Sequence, residues 1–175
     1  FIVDAKWGIG VSPDSVGYLL SAQNILDGKG YTDQDGKAVS LWPFLYPLCL
    51  AGCAFVTNMD VVLIVPFFHA FLLASIIVCF FRFSGKLRWR FRDEVIAGLM
   101  LLLSVPLLHV ASWVWSELLF IFLTIVFLDY SSKYVSTNSI KHMLVMAIVA
   151  GLSTLTRYIG VTLILTGIIY LLYFN

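Results

Sequence analysis

Val61-Val-Leu-Ile-Val-Pro66-Phe-Phe-His69-Ala-Phe-Leu-Leu-Ala-Ser-Ile-Ile-Val-Cys79-Phe-Phe81 carries no Asp, Glu, Lys or Arg, and Arg82-Phe-Ser-Gly-Lys86-Leu-Arg88-Trp-Arg90-Phe-Arg92 follows it directly. A transmembrane helix needs roughly 20 mostly apolar residues, so the first of these stretches reads as a membrane span. Short loops rich in Lys and Arg stay in the cytoplasm, so the second reads as a cytoplasmic loop that anchors the topology, with contact to anionic lipid as a minor addition. Four further windows, Ala38–Met59, Val95–Ser116, His142–Thr156 and Tyr158–Asn175, are equally free of charge. The whole chain of 175 residues is 61% hydrophobic and 12% charged, with a mean hydropathy of +0.96. Soluble domains carry about twice that charge fraction. A soluble globular domain and a disordered tail are thereby excluded. With 11 basic against 10 acidic residues, so is a nucleic-acid-binding module, which needs a concentrated positive face.

Placing the Arg-rich loop inside orders the rest. Val61–Phe81 runs inward and Asp60 lies outside. Leu48–Met59 is expected to dip into the membrane and return, since Pro43 and Pro47 shorten it and argue against a regular helix until Pro47 has passed. Val95–Val114 runs outward to Glu117. Leu118–Leu128 returns inward to Lys133 and Lys141, Met143–Leu155 runs out again, Thr156-Arg157-Tyr158 turns near the outer face, and Ile159–Phe174 comes back. The expectation is an all-α polytopic membrane protein with about five spans over residues 41–175, several of them short for the hydrocarbon core. Phe1-Ile2-Val3 reads as the last turn of a preceding span (residues 1–3), and Tyr158–Asn175 stops while still apolar. The sequence is therefore expected to belong to a longer membrane protein, placed most simply in a bacterial inner membrane.

Residues 4–40 form the first outer (periplasmic or lumenal) loop and hold the most polar part of the chain. Ser12-Pro13-Asp14-Ser15 is a helix start, because Ser or Asp can cap and Pro is favoured at the first helical position. Gly28-Lys29-Gly30 stops that helix. Val16, Leu19, Leu20, Ile25 and Leu26 fall roughly on one side, so a short amphipathic helix on the membrane surface is expected, its apolar side towards lipid or neighbouring spans. Trp42 and Tyr46 mark re-entry into the interface.

Few polar residues remain as candidates for chemistry. Cys49, Cys53 and Cys79 lie in apolar stretches and read as packing residues. His69 and His109 read as neutral imidazoles bonded to neighbouring helices, and Asp129 and Arg82 as ordinary interfacial residues. No HExxH, CxxC, P-loop or GxGxxG pattern occurs. Asp14, Glu117 and Arg157 survive, all assigned to the outer face. Individually they read as a helix cap, a span boundary and a snorkelling cation. Together they supply a base for an incoming hydroxyl and a guanidinium for the phosphate of a lipid carrier, the two roles that sugar transfer from a polyprenyl phosphate requires.

The residues around these three resemble a known superfamily. Asp14-Ser15-Val-Gly-Tyr18-Leu-Leu-Ser-Ala22-Gln-Asn24-Ile-Leu26-Asp-Gly28-Lys-Gly30 is similar to the first outer loop of the C-type (GT-C) membrane glycosyltransferases, the superfamily of protein O-mannosyltransferases and of the transferases that add aminoarabinose to lipid A. Trp42-Pro43-Phe44-Leu45-Tyr46-Pro47-Leu48 resembles its Pro-Pro-x-Tyr-Pro-Leu stretch, Trp115-Ser116-Glu117-Leu118-Leu-Phe120 its Ser-Glu-x-x-Phe segment, and Leu155-Thr156-Arg157-Tyr158-Ile-Gly160 its Leu-Thr-Arg-Tyr-x-Gly turn. The resemblance implies a partial GT-C-like helical bundle and an inverting transfer from a polyprenyl-phosphate-linked sugar to a glycan, lipid or protein acceptor. It makes Asp14 the catalytic base, gives Arg157 the donor phosphate and Glu117 either the positioning of the acceptor or a part in the structure of the site, and sets Tyr18 and Tyr158 beside them as substrate-binding residues. Many relatives carry two adjacent acids where this chain has Asp14-Ser15, so no cofactor is assigned and a divalent cation is left open. Two rivals stand beside this reading, a transporter or flippase of lipid-linked sugars and a non-catalytic membrane assembly subunit. The first predicts charged or broken helices near mid-membrane, and Pro66 and Pro106 offer kinks there.

Overall fold

The computed structural model describes residues 8–85 and 89–174. The expected tail of a preceding span at Phe1–Val3, the acid and base at Asp4 and Lys6, and Lys86 and Arg88 of the basic segment lie outside the described residues. Among those described, eight α-helices carry the fold: α1 Pro13–Leu26, α2 Leu45–Thr57, α3 Val61–Ser84, α4 Phe91–Leu102, α5 Val105–Ala111, α6 Glu117–Thr137, α7 Ile140–Thr156 and α8 Val161–Phe174, with a 3₁₀ turn at Tyr158–Gly160 before the last. Only two isolated β-bridges accompany them, Gly10 with Trp113 and Thr32 with Ala38.

The helix ends follow from local chemistry. Ser12 caps α1 in a reciprocal arrangement: the Ser15 N–H donates to Ser12 Oγ at 3.3 Å and the Ser12 N–H to Ser15 Oγ at 2.9 Å, with Pro13 at the position that needs no donor. After Leu26 the chain turns through Gly28, with φ at +74°, as the Gly-Lys-Gly stop predicts. Asn58 and Asn138 end α2 and α6 with φ of 54° and 49°, a left-handed conformation that Asn tolerates better than most side chains. Asp60 opens α3 by accepting the Val62 N–H at 2.7 Å.

Three expectations are corrected. First, α2 begins at Leu45, two residues before Pro47. Pro47 thus falls in the first turn, where N–H groups have no helical partner and the ring displaces nothing. Second, Val95–Val114 is not one rod: α4 and α5 meet at a bend of 48°. Pro106 lies in the first turn of α5, and its ring would collide with the Leu102 carbonyl of a continuous helix. Pro66, by contrast, is accommodated within α3. Third, among the described residues two helices are long and apolar enough to cross a membrane, α3 and α6, or up to three if the bent α4–α5 pair forms one span, where about five spans were expected. α2, α7 and the 3₁₀–α8 stretch are apolar but shorter. At 1.5 Å per residue they fall below the ~30 Å hydrocarbon thickness.

α6 packs between α3 and α7, and α7 also carries α8. Ser84, at the end of α3, donates to Glu94 in the first turn of α4, and His69 Nδ1 lies 2.9 Å from the Ala111 carbonyl at the end of α5. The α4–α5 pair therefore returns along α3. The core is Tyr46, Leu50, Val65, Leu72, Ile76, Leu118 and Phe127, all at most 2% exposed. Phe67 and Phe71 on the other side of α3 are 64% and 66% exposed, a surface suited to lipid and a liability in water. His69 is buried, its Nε2 2.8 Å from the Tyr46 hydroxyl. Asp129, expected as an ordinary interfacial residue, is buried instead. It holds Lys133 at 2.6 Å, and that ammonium lies 4.3 Å from the centre of the Tyr130 ring.

The turn between α7 and α8 depends on Gly160. A β-carbon there would overlap the backbone of Ser153 and Thr154, and backbone cannot move aside as a flexible side chain does. Gly160→Ala is expected to destabilise the fold by about 1–3 kcal/mol through overpacking, read as an earlier unfolding midpoint in a detergent titration.

Candidate functional site

The helices bring the segment around α1, the start of α6 and the end of α7 to one end of the molecule. Gly10 begins the link: its N–H donates to the Ser112 carbonyl at 2.8 Å, and the Val114 N–H donates back to the Gly10 carbonyl at 3.0 Å. The Ser15 hydroxyl donates to the Val114 carbonyl at 3.0 Å, and the Trp115 indole N–H to Ser12 Oγ at 2.9 Å. The helix start that positions Asp14 is thus bolted to the segment that launches α6. Ser12→Ala removes both the cap and the partner of the indole. It is expected to cost about 0.5–2 kcal/mol, measured as lost thermal stability without a change in the span architecture.

Ser116 is the hub. It is fully buried, 3.2 Å from the Tyr18 hydroxyl, and accepts a hydrogen bond from Arg157 Nη1 at 3.3 Å. The same Nη1 makes a 2.5 Å ion pair with Glu117 Oε1, both side chains being about one-third exposed at 36% and 34%. One guanidinium nitrogen, Nη1, therefore makes both of these contacts. Burial raises the Tyr18 phenol above its ordinary value, with the Ser116 bond and the Arg157 charge pulling the other way. Tyr18 accordingly remains a neutral hydroxyl at neutral pH. Its ring is wedged between Trp42 and Tyr46, with centroids 5.6 and 5.1 Å away.

Two adjoining cavities open at this end. One, of 230 Å³, is lined by Ser12, Asp14, Tyr18, Trp115, Glu117 and Arg157. The other, of 280 Å³, shares Asp14, Tyr18 and Arg157 and adds Trp42, Thr156 and Tyr158. Of the five residues picked from the sequence, Asp14, Tyr18, Glu117 and Arg157 line the first cavity, and Tyr158 lines the second with Asp14, Tyr18 and Arg157. Tyr158 also donates to the Ser40 carbonyl at 2.8 Å, tying the α7–α8 turn to the segment that precedes α2. Ser116, Ser12 and Trp42 were not expected as parts of the site. For Ser116 the adjoining Trp115 was the available signal, but a hydroxyl that only holds other groups has no signature of its own.

The donor set does not suit a divalent cation. No group of three His, Cys, Asp or Glu converges among the described residues. Ser15, standing where many relatives of the resembled superfamily have a second acid, turns its hydroxyl into the Val114 carbonyl. Of the two carboxylates in the recess, Glu117 is already paired with Arg157.

Of the expected apolar side of α1, Leu19, Ile25 and Leu26 pack against the core and Val16 is exposed, while the buried residues of the helix are Ser15, Tyr18, Ser21, Ala22 and Asn24. Small and hydrogen-bonding side chains let this helix sit close to the segments it must hold. No protein-family model, no curated protein and no solved structure matches the chain.

Proposed function

We propose that this chain is the catalytic end of a multi-pass membrane glycosyltransferase. It transfers a sugar from a polyprenyl-phosphate-linked donor to a hydroxyl acceptor at the outer face, with inversion. The observation that carries the proposal is that Asp14, Tyr18, Glu117 and Arg157, scattered from position 14 to position 157, line one recess. Asp14 sits in the first turn of α1, solvent-exposed, within reach of an entering acceptor. Its carboxylate takes the acceptor proton as the acceptor oxygen bonds to the anomeric carbon. The bond from that carbon to the phosphate oxygen breaks, and the phosphate leaves with the electron pair. Arg157, held by Glu117 and Ser116, meets the charge that develops on that phosphate. Tyr18 stays protonated and positions, through Ser116, the nitrogen that Arg157 uses. In this reading the protein faces the cell envelope of a bacterium, its basic Arg82–Arg92 segment on the cytoplasmic side.

The deciding experiment uses the full-length parent protein, reconstituted with a polyprenyl-phosphate sugar. Covalent transfer that requires Asp14 supports the proposal, and movement of the donor across the bilayer with no transfer overturns it. The second outcome is the one expected of a transporter or flippase. That reading draws on the bend between α4 and α5, since discontinuous helices line transport paths. Leu102, Leu103, Ser104 and Val105 at the bend carry no charge to guide a phosphate.

A further inference from the structure

We infer that the cavity on the far side of Trp42 is a carbohydrate subsite that receives the acceptor, an inference that rests on the glycosyltransferase reading above. The cavity measures 370 Å³ and is lined by Val16, Gly17, Asp33, Gln34, Ser40 and Trp42 among others. That volume lies within the roughly 300–1,000 Å³ typical of small-molecule sites. Leu41 and Trp42 also line the neighbouring recess that contains Asp14 and Arg157. The indole is thus the partition between the two spaces, and a ligand seated beyond it needs only to pass Trp42 to present a hydroxyl to Asp14.

The partition and the walls are rigid. Trp42 packs so closely on α1 that a β-carbon on Gly17 would lie 2.6 Å from the indole ring. Its carbonyl accepts the Tyr31 hydroxyl at 2.9 Å, and burial pushes that phenol up to about 12, so it remains a donor throughout the physiological range. Asn24, itself buried, donates from one amide nitrogen to the Thr32 carbonyl at 3.0 Å and the Asp33 carbonyl at 3.1 Å. Asp33 Oδ1 accepts the Asp35 and Lys37 N–H groups, each at 2.9 Å, which fixes the carboxylate and leaves Oδ2 to meet a ligand. A loop of this polarity held by so many bonds is preordered, and preordering lowers the entropic cost of binding.

The chemistry of the lining selects the ligand class. Apolar surface from Trp42, Leu41 and Val16 faces polar groups from Asp33, Gln34 and Ser40. A sugar ring has the same division, with a C–H face for the indole and hydroxyls at its edge for carboxylate, amide and carbonyl. An acyl or isoprenoid chain would leave Asp33 Oδ2 and the Gln34 amide facing hydrocarbon, at a cost. The donor phosphate belongs with Arg157, in the recess on the other side of the partition. Two substrates thus approach Asp14 from opposite sides of Trp42.

The test titrates the full-length parent, in detergent, with maltose, mannobiose and chitobiose, following ligand signals by saturation-transfer NMR. Saturable binding of at least one disaccharide is expected, weakened tenfold or more in Gln34→Ala and in Trp42→Phe. Lys29→Ala, on the exposed α1 stop, should bind within twofold of the parent. Gln34 is exposed, so its truncation leaves the fold intact even if Trp42→Phe loosens the partition. No saturable binding of any of the three, or binding equally strong in Gln34→Ala, overturns the subsite. Binding through Gln34 by a parent that transfers no sugar supports the subsite and removes the enzyme reading instead, so the two failures are separable.

Discussion

Asp14→Asn in the full-length parent is expected to lower kcat for sugar transfer by about 10²–10⁴-fold, the range that a positioned general base contributes. The variant is a narrow one. Asn matches Asp in size and serves equally well near a helix start, so α1 keeps its cap at Ser12 and its Pro13. The carboxylate makes no hydrogen bond that the fold relies on, and loss of its favourable interaction with the helix dipole costs about 0.3–1 kcal/mol at a surface position. A fall in rate beyond tenfold with unchanged helical content and an unchanged donor KM therefore reports chemistry and not unfolding. Turnover within twofold of wild type would falsify the role of Asp14 as the base. A parallel variant separates base from scaffold. Tyr18→Phe deletes the hydroxyl beside Ser116 and is expected to lower kcat only several-fold, because it disturbs only how Arg157 is held.

What the sequence made legible was what short-range chemistry decides. The start of α1 could be read from Ser12-Pro13-Asp14-Ser15 because capping involves residues three apart. α3 could be read from its length and apolarity, whereas α6, Glu117–Thr137, was expected only as the short span Leu118–Leu128. Asp14, Tyr18, Glu117 and Arg157 were legible as candidates by residue type, and one cavity is lined by all four. The unread parts share a physical cause. Which side of α1 is buried depends on Val114, Ser116 and Trp42, partners up to about a hundred positions away, and those partners favour Ser15, Tyr18 and Ala22 over the larger Val16. The bend between α4 and α5 turns on one steric clash at Pro106, which a count of apolar residues does not register. The ion pair of Arg157 with Glu117 joins two residues each of which the membrane surface alone would explain. Nothing in either local sequence requires the other.

That ion pair carries the second large effect. Arg157→Ala is expected to reduce kcat/KM for transfer by about 10²–10³-fold, the loss seen when one donor to developing charge is removed. The obvious objection is that Arg157 serves only to neutralise Glu117. If so, Glu117→Gln, which breaks the same 2.5 Å contact, should cost as much as Arg157→Ala, and the double variant should cost no more than either. The geometry argues otherwise. Both side chains are about one-third exposed, and exposed pairs contribute only about 0–1 kcal/mol to stability, so neither single variant should unfold the protein. Glu117→Gln leaves the guanidinium in place, still bonded to Ser116, with more of its charge available to the donor. It should lower kcat several-fold through poorer orientation while the donor KM holds or falls. Arg157→Lys supplies charge without the planar fork and cannot serve Ser116 and a phosphate from fixed directions, so it should recover less than a tenth of the lost activity. Equal losses in Glu117→Gln and Arg157→Ala, or full rescue by Lys, would reduce Arg157 to a structural counter-charge and take the leaving-group half of the mechanism with it.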